Sequence, residues 1–247
     1  MELFSGGIGK RVLMNIQCDS VATCERIKDT YGACFLTGVT AKSFPDLKDG
    51  IHLIETMKGK NIPVSAGLGD GSADQWERAL QMALATDPEH LNQVFPTAAL
   101  AQKVLTDAGC RTIVNGLIRP TGVSGKVNIS TGPLSEGQPK AVADSETAVA
   151  MLFEAGVKSI KFFPVEGERH LEEIRALARA AAKYDMIMEP TGGITTENVG
   201  KIVGICLEAG VSYVMPHLYG SLKDKVTGAL DMEKFKRAYD AIRSVAQ

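Results

Sequence analysis

The chain has 247 residues, 45% of them hydrophobic and 23% charged, and a formal net charge of −2 at pH 7. That length and composition suffice for one α/β domain with a full core, and a nearly neutral charge argues against a nucleic-acid-binding protein, which usually carries a basic patch. No apolar run approaches the roughly 18 residues that a membrane-spanning helix needs.

The five cysteines and the first residues indicate a cellular compartment. The cysteines are odd in number and lack metal-ligand spacing such as C-x-x-C, as is typical of reduced thiols. Residues 1–7 have neither the basic region nor the apolar core of a secretion signal. We therefore expect a cytoplasmic protein, with no membrane or nucleic acid among its partners.

Short β-type runs alternate with amphipathic helical stretches along the whole chain. The eight predicted strands span residues 12–17, 34–40, 63–67, 91–95, 112–118, 159–163, 187–189 and 212–217. Strands that alternate with helices predict a parallel sheet, and about 250 residues is the usual length of a (β/α)8 barrel. We therefore predict an α/β fold in which residues 1–247 form a single (β/α)8 TIM barrel. An open doubly wound sheet is the alternative, but no G-x-G-x-x-G follows the first strand.

Residues 119–143, after the fifth strand, are too many for a simple βα loop. We predict an excursion here with its own short strand, acting either as a lid or as a subunit contact. The sequence does not decide between these roles. We expect the protein to be a homo-oligomer.

The sixth predicted strand carries a lysine inside an apolar segment. Alternation directs Ser159, Lys161 and Phe163 to one face of that strand. A buried amine is costly, and it is explained if its pKa is lowered for attack on a carbonyl, the Schiff-base role. The alternative is an edge-strand lysine whose amine reaches solvent.

Two glycine turns follow the last two predicted strands. Gly192 and Gly193 precede a helical run, where amides can approach an anion closely. Gly220 and Ser221 form a second turn after the eighth strand. In barrels these two loops commonly bind a phosphate, although each turn alone is also typical of a tight connection.

The motifs I-K-F-F-P (160–164) and P-T-G-G-I (190–194) together resemble those of the class I 2-keto-3-deoxy-6-phosphogluconate aldolases. The whole chain is more similar still to a divergent bacterial branch, the KDGP aldolase family. The resemblance implies a (β/α)8 barrel and reversible cleavage of a phosphorylated 2-keto-3-deoxy acid to pyruvate and glyceraldehyde 3-phosphate, without a cofactor. It implies that Lys161 forms the Schiff base and that Thr191 lies near the bound keto acid. Gly192, Gly193 and Ser221 would contact the phosphate.

The second strand departs from the better-known branch, which has an E-V-T-x-R pattern there. Gly38 stands at the glutamate position and Lys42 at the arginine position, where it can meet an anion as a point charge. The proton carrier must therefore be another residue. We expect Glu189, which shares the inward face with Thr191, and next Asp70 at the end of the third strand. Both also have structural interpretations, as a buried ion-pair partner and as a turn residue.

A metal-dependent aldolase is a weaker alternative. It would need clustered ligands at strand ends, whereas His52, His90 and His170 fall on predicted helices or helix-to-strand turns. His217, near the end of the eighth strand, is expected to line the pocket instead. Arg119, just past the fifth strand, is either a ligand of the substrate carboxylate or a solvated side chain. We predict no metal.

The sequence thus predicts a lyase with a small phosphorylated keto acid as its substrate. Other possibilities stay open: an aldolase for another 2-oxo acid such as 4-hydroxy-2-oxoglutarate, a sugar-phosphate isomerase, or a non-catalytic sugar-phosphate-binding barrel.

Overall fold

Strands and helices alternate along residues 2–246, the part of the chain that the computed structural model describes. The strands are β1 (Met14–Ile16), β2 (Phe35–Thr40), β3 (Val64–Gly67), β4 (His90–Val94), β5 (Ile113–Pro120), β6 (Lys126–Asn128), β7 (Val142–Asp144), β8 (Ser159–Phe162) and β9 (Ile187–Pro190). The helices are α1 (Val21–Tyr31), α2 (Leu47–Gly59), α3 (Trp76–Thr86), α4 (Phe95–Asp107), α5 (Ser145–Glu154), α6 (Leu171–Ala182), α7 (Val199–Glu208) and α8 (Met232–Arg243). Short 3-10 turns cover Glu2–Phe4, Ala41–Ser43, Ala73–Gln75 and Ser135–Gly137.

Seven strands pair in parallel around a barrel, in the order β1, β2, β3, β4, β5, β8 and β9. The strand β2 is buried along its whole length, as expected for a parallel sheet covered by helices outside and by side chains inside. The predicted (β/α)8 barrel is confirmed.

The eighth segment closes the barrel through isolated bridges rather than a continuous strand. Val214 bridges Met188 on one side and Val12 on the other, and His217 bridges Thr191 and Asn15. Pro216, between the two bridging residues, has no amide hydrogen to give to the ladder. The seam is therefore present where residues 212–217 predict it, with backbone hydrogen bonds to both neighbouring strands but without a donor at Pro216.

The barrel interior is layered. At its amino end an apolar plug of Phe4, Leu13, Leu36, Ile187 and Met215 closes the bottom. Above the plug comes a buried layer of polar side chains, namely Asn15, Ser65, His90, Asn115, Ser159, Glu189 and His217. Buried polar groups need hydrogen-bond partners, so this layer indicates a functional centre rather than ordinary core packing.

An Ala-Gly pair follows each of three helices. Gly109, Gly156 and Gly210 follow α4, α5 and α7, with φ of 76°, 79° and 100°. These left-handed angles favour glycine and turn the chain into the next strand. No helix within residues 2–246 is long and apolar enough to cross a membrane.

The predicted excursion forms a small antiparallel sheet. The end of β5 pairs with β6, and β6 pairs with β7. The buried carboxylate of Glu173 on α6 accepts hydrogen bonds from the amides of Thr121 and Gly122, at 2.8 and 3.1 Å. The excursion is thus anchored to a helix of the barrel.

Candidate active site

A cavity of about 340 Å³ opens at the carboxyl end of the barrel strands. In barrels this end carries the functional loops. Of the predicted site residues, it is lined by Asp70, Lys161, Thr191, Gly192, Gly193, His217, Gly220 and Ser221. Most of the site residues predicted from the sequence therefore lie together around this cavity.

Lys161 is an inward-facing residue of β8 and is partly buried in the cavity wall. Its Nζ donates to Oδ1 of Asn92 at 3.0 Å and lies 5.8 Å from the ring centroid of Phe163. Burial lowers the pKa of Lys161 to about 8, while the nearby Glu189 carboxylate acts in the opposite direction. At pH 7 roughly a tenth of the amine is therefore neutral and nucleophilic, far more than for an ordinary lysine.

Glu189 lies beneath the cavity floor and is fully buried. One oxygen, Oε1, is contacted by His90 Nε2 at 2.8 Å and by the Ser159 hydroxyl. The other, Oε2, accepts from Asn115 Nδ2 at 2.8 Å and is 2.9 Å from His217 Nε2. Burial alone would raise the pKa of Glu189, but the two histidines and their hydrogen bonds hold it well below its usual range. The carboxylate stays ionised, with its lone pairs occupied.

His217 connects this carboxylate to the cavity. Because Glu189 is ionised, His217 Nε2 must donate to it, and Nδ1 is then the ring nitrogen with a free lone pair. Burial, followed by the Lys161 charge, lowers the pKa of His217 to about 4, against the influence of Glu189. The imidazole is therefore neutral, in a tautomer set by its buried partner.

Asp70 and Lys42 lie at the rim. The Asp70 carboxylate is 91% exposed and 3.7 Å from the ammonium of Lys42, which is itself 52% exposed. Such exposed pairs contribute little energy. Asp70 lines the cavity mouth but lacks the burial that tunes an acid–base group. Lys42 reaches the site only from its solvent side.

The two glycine loops present free amides. In residues 2–246 the backbone amides of Gly192, Gly193, Gly220 and Ser221 have no hydrogen-bond acceptor. Gly192 and Gly193 have φ of 96° and 71°. Thr191, whose hydroxyl donates to the Glu189 carbonyl at 3.2 Å, connects the first loop to β9. Four unpaired amides around one cavity mouth suit an anion.

Arg119, predicted to be either a ligand of the substrate carboxylate or a solvated side chain, lies outside this cavity. It lines a separate groove and pairs with Glu136 at 3.0 Å. The reason is that β5 continues past the barrel and pairs with β6, where Arg119 is opposite Asn128. The excursion draws the side chain away from the barrel axis.

Several site residues were not predicted. His90 was expected at a helix-to-strand turn, but it begins β4 and points inward with Asn92. Asn115 on β5 and Tyr219 after the eighth segment were also missed. The available signal was strand alternation: most barrel strands carry a polar residue at an inward position. Applied strand by strand, that rule would have found the layer.

No group of three or more His, Cys, Asp or Glu side chains that could hold a metal ion occurs within the described residues 2–246. The histidine pair around Glu189 is instead satisfied by the carboxylate and by neighbouring side chains. The chemistry available to this arrangement is that of an amine, a neutral imidazole and hydrogen-bonding amides.

Comparison with known proteins agrees with the geometry. The family model described as KDGP aldolase matches residues 8–226. This chain belongs to the KDGP aldolase family. A 2-dehydro-3-deoxy-phosphogluconate aldolase of Salmonella typhimurium is 36% identical over 238 residues, covering 96% of both chains. The resemblance found in the sequence is confirmed, and membership of the KDGP aldolase family supports an aldolase, a carbon–carbon lyase.

Solved structures bear on the fold of this KDGP aldolase family member. KGPDC from Streptococcus mutans has a TM-score of 0.60 at 12% identity, covering 95% of this chain and 99% of its own. The 3-keto-L-gulonate-6-phosphate decarboxylase from Vibrio cholerae has a TM-score of 0.59 at 11% identity, with the same coverage. At these identities the similarity extends to the α/β barrel alone.

Proposed function

We propose that this protein is a class I aldolase that cleaves a 2-keto-3-deoxy-6-phospho sugar acid to pyruvate and glyceraldehyde 3-phosphate. The observation that carries the proposal is the amine of Lys161 in the cavity wall, with its pKa lowered to about 8 by burial. A lysine tuned in this way is suited to imine formation with a ketone. Membership of the aldolase family and the name of the Salmonella relative support the same activity.

In the proposed reaction the neutral amine attacks the C2 ketone, and loss of water gives an iminium on Lys161. Asn92 supports this step because its Oδ1 accepts an N–H of the amine at 3.0 Å, which orients the remaining lone pair. The iminium then accepts the electrons of the C3–C4 bond when that bond breaks. An enamine of pyruvate remains on the lysine.

The cleavage requires removal of the proton from the C4 hydroxyl. Glu189, the expected carrier, is surrounded by four donors and does not line the cavity. We therefore assign the contact with substrate to His217 Nδ1 and give Glu189 a positioning role, orienting the imidazole and stabilising the imidazolium that forms. Asp70, exposed at the rim, is the less favoured carrier.

The substrate phosphate is assigned to the free amides of Gly192, Gly193, Gly220 and Ser221. Both loops border the cavity mouth, so a phosphate there leaves the keto-acid end toward Lys161 and Thr191. Binding energy from the phosphate would then hold C4 against the imidazole, which favours the transition state through positioning.

The deciding experiment is incubation of the protein with pyruvate and sodium borohydride, followed by peptide mass spectrometry. We expect a reduced pyruvate adduct on the peptide that contains Lys161. Absence of that adduct, with turnover of the phosphorylated substrate, would reject the Schiff-base mechanism. Comparison of that substrate with 4-hydroxy-2-oxoglutarate then decides between the two aldolase activities.

A further inference from the structure

The ring of Tyr219 fills the interior of the barrel above Gly38. Gly38 is an inward-facing residue of β2, and a Cβ built on it would lie 2.1 Å from the Tyr219 hydroxyl oxygen and 2.5 Å from Cζ. Any larger residue at position 38 would therefore displace the phenol. The hydroxyl of Tyr219 occupies the space that a side chain of β2 would otherwise take.

This position is across the cavity from Lys161. Around the barrel, β2 is separated from β8 by β3, β4 and β5 on one side, and by β1, the 214–217 seam and β9 on the other. Tyr219 and Lys161 line the same cavity of about 340 Å³. A keto acid attached to Lys161 would therefore lie in the cavity that the phenol borders.

The phenol also belongs to the hydrogen-bonded network of the polar layer. Its hydroxyl bonds to the side chain of Ser65, whose Oγ lies 2.8 Å from His90 Nδ1. Ser65 Oγ also accepts hydrogen bonds of 3.0 Å from the side-chain amides of Asn15 and Asn92, which occupy its two lone pairs. Ser65 Oγ therefore has no lone pair left for the phenolic proton, which an acceptor atom of a ligand in the cavity can take.

The imidazole of His217 stacks on the same phenol, with ring centroids 5.7 Å apart and planes inclined by 23°. Burial, the largest influence, raises the pKa of Tyr219 above its ordinary value. The hydroxyl is consequently protonated in the resting protein. Two proton-carrying groups, one basic and one acidic, therefore lie side by side in the cavity that Lys161 also lines.

From this arrangement we infer that Tyr219 is a catalytic residue whose phenol donates its proton to C3 of the enamine on Lys161. The inference rests on the proposed aldolase function. It goes further by naming the group that converts the enamine to the iminium of pyruvate.

Every proton and electron pair in this reaction has a source and a destination. His217 takes the C4 hydroxyl proton, C4 becomes the aldehyde carbon, and the C3–C4 electrons enter the enamine. The enamine electron pair then forms a C3–H bond with the phenolic hydrogen, leaving a phenolate. The imidazolium proton returns to the phenolate through solvent in the cavity. Addition of one water, equal to that lost on imine formation, releases pyruvate and the free amine.

Exchange of the pyruvate methyl hydrogens for deuterium isolates this step, because it needs the imine and a carrier at C3 but no aldehyde or phosphate. We would follow exchange in deuterated water by proton NMR, and adduct formation by borohydride trapping, for wild type and Tyr219→Phe. We expect the variant to trap pyruvate on Lys161 within about threefold of wild type. Its exchange should fall roughly 10²-fold or more, the usual effect of losing a positioned acid–base group.

Tyr184→Phe is the matched control, since Tyr184 is a partly exposed surface residue whose ring packs at a tilt against Phe153, with centroids 4.8 Å apart. It should exchange at the wild-type rate. Gly38→Ala tests the geometry independently, because its Cβ overlaps the hydroxyl. It should also form the adduct yet lose exchange.

The possible results distinguish the role of Tyr219 from the proposed aldolase function. Exchange by Tyr219→Phe within a few-fold of wild type, with normal trapping, would overturn the role of Tyr219 alone. A wild-type protein that forms no adduct would overturn the proposed function, and this inference with it. Loss of trapping together with exchange in Tyr219→Phe would mean that the phenol only shapes the site, which also contradicts the inference.

Discussion

The Oδ1 atom of Asn92 lies 3.0 Å from Nζ of Lys161 and accepts a second hydrogen bond, also of 3.0 Å, from Asn115. The Asn92 amide nitrogen is fixed in turn by Ser65 Oγ and the Ala66 carbonyl. The orientation of the amide is therefore set on both sides, and a neutral acceptor faces the amine. A neutral partner holds the lysine in place without stabilising its charged form.

That pairing predicts how imine formation depends on pH. In wild type the rate of adduct formation with pyruvate should rise from pH 7 to pH 9 with an inflection near 8, because the fraction of Lys161 in the neutral form increases over that range. Asn92→Asp puts a carboxylate beside the amine, which favours the ammonium by about one to three pKa units. The inflection should move above 9 and the rate at pH 7 should fall at least roughly tenfold. Asn61→Asp, on the surface, is the control; an unmoved inflection in Asn92→Asp would contradict the assignment.

Lys161→Met should abolish aldol cleavage and leave the fold intact, because methionine has a similar volume and removes a costly buried amine. Cleavage activity and circular dichroism measure the two effects. Lys158→Met, in the exposed position just before β8, is the matched control and should stay active. Wild-type-like cleavage by Lys161→Met would exclude the Schiff base.

The same variant should change the pH dependence of stability. Below pH 8 the amine is charged in both the folded and the unfolded protein; between pH 8 and 10.5 only the unfolded protein keeps the proton. The contribution of Lys161 to the free energy of unfolding of the wild type therefore rises with pH across that window. Lys161→Met should be more stable than wild type by about 1–3 kcal/mol at pH 7, a figure reduced for partial exposure. Urea unfolding at several pH values should show that difference shrinking toward pH 10.5.

Glu189→Gln should retain a borohydride-trappable adduct but lower kcat by roughly 10²–10⁴. The amide removes the acceptor that fixes the His217 tautomer and brings an N–H against a neighbouring donor. If Glu189 acts through His217, His217→Asn should lose a similar factor and the double variant little more. The coupling would be rejected if the two single-variant losses in kcat multiply in the double variant. It would also be rejected if kcat of Glu189→Gln is within a few-fold of wild type.

The glycine loops are tested by Ser221→Ala and Gly220→Ala. A Cβ on Gly220 has no atom within 4 Å, so the fold should tolerate it, whereas one on Gly193 would lie 2.5 Å from the Gly167 amide nitrogen. We expect KM for the phosphorylated substrate to rise roughly 10-fold or more, with little change for an unphosphorylated analogue. The new Cβ of Gly220→Ala would occupy open space beside the amide, from which a phosphate approaches, and Ser221→Ala removes a hydroxyl that can donate to the phosphate. Equal effects on both substrates would make the turn structural.

The sequence predicted the barrel and the place of Lys161 because both follow from local pattern. Alternating apolar runs give the strands, and a lysine within one of them is visible without its neighbours. The surroundings of Glu189 were not predictable in the same way, since its partners come from positions 90, 115, 159 and 217, which only barrel closure brings together.

Two other features of the site depend on contacts between distant parts of the chain. Arg119 follows a barrel strand in sequence, but pairing of β5 with β6 continues past the barrel rim and carries it elsewhere. Gly38 looked like the loss of a functional side chain. Its meaning emerges only with Tyr219, far away in sequence, whose hydroxyl lies where the missing Cβ would be.

The four hydrogen bonds to the Glu189 carboxylate also help to fix the register of the barrel strands. They come from β4, β5, β8 and the seam segment, and a slip of one residue in any of these turns its inward side chains outward. Each slipped arrangement would leave a buried anion short of a partner, at a cost of several kcal/mol. We expect the same ionic centre that prepares the imidazole to disfavour misaligned barrels, so that chains reaching the closed state reach it with the site assembled.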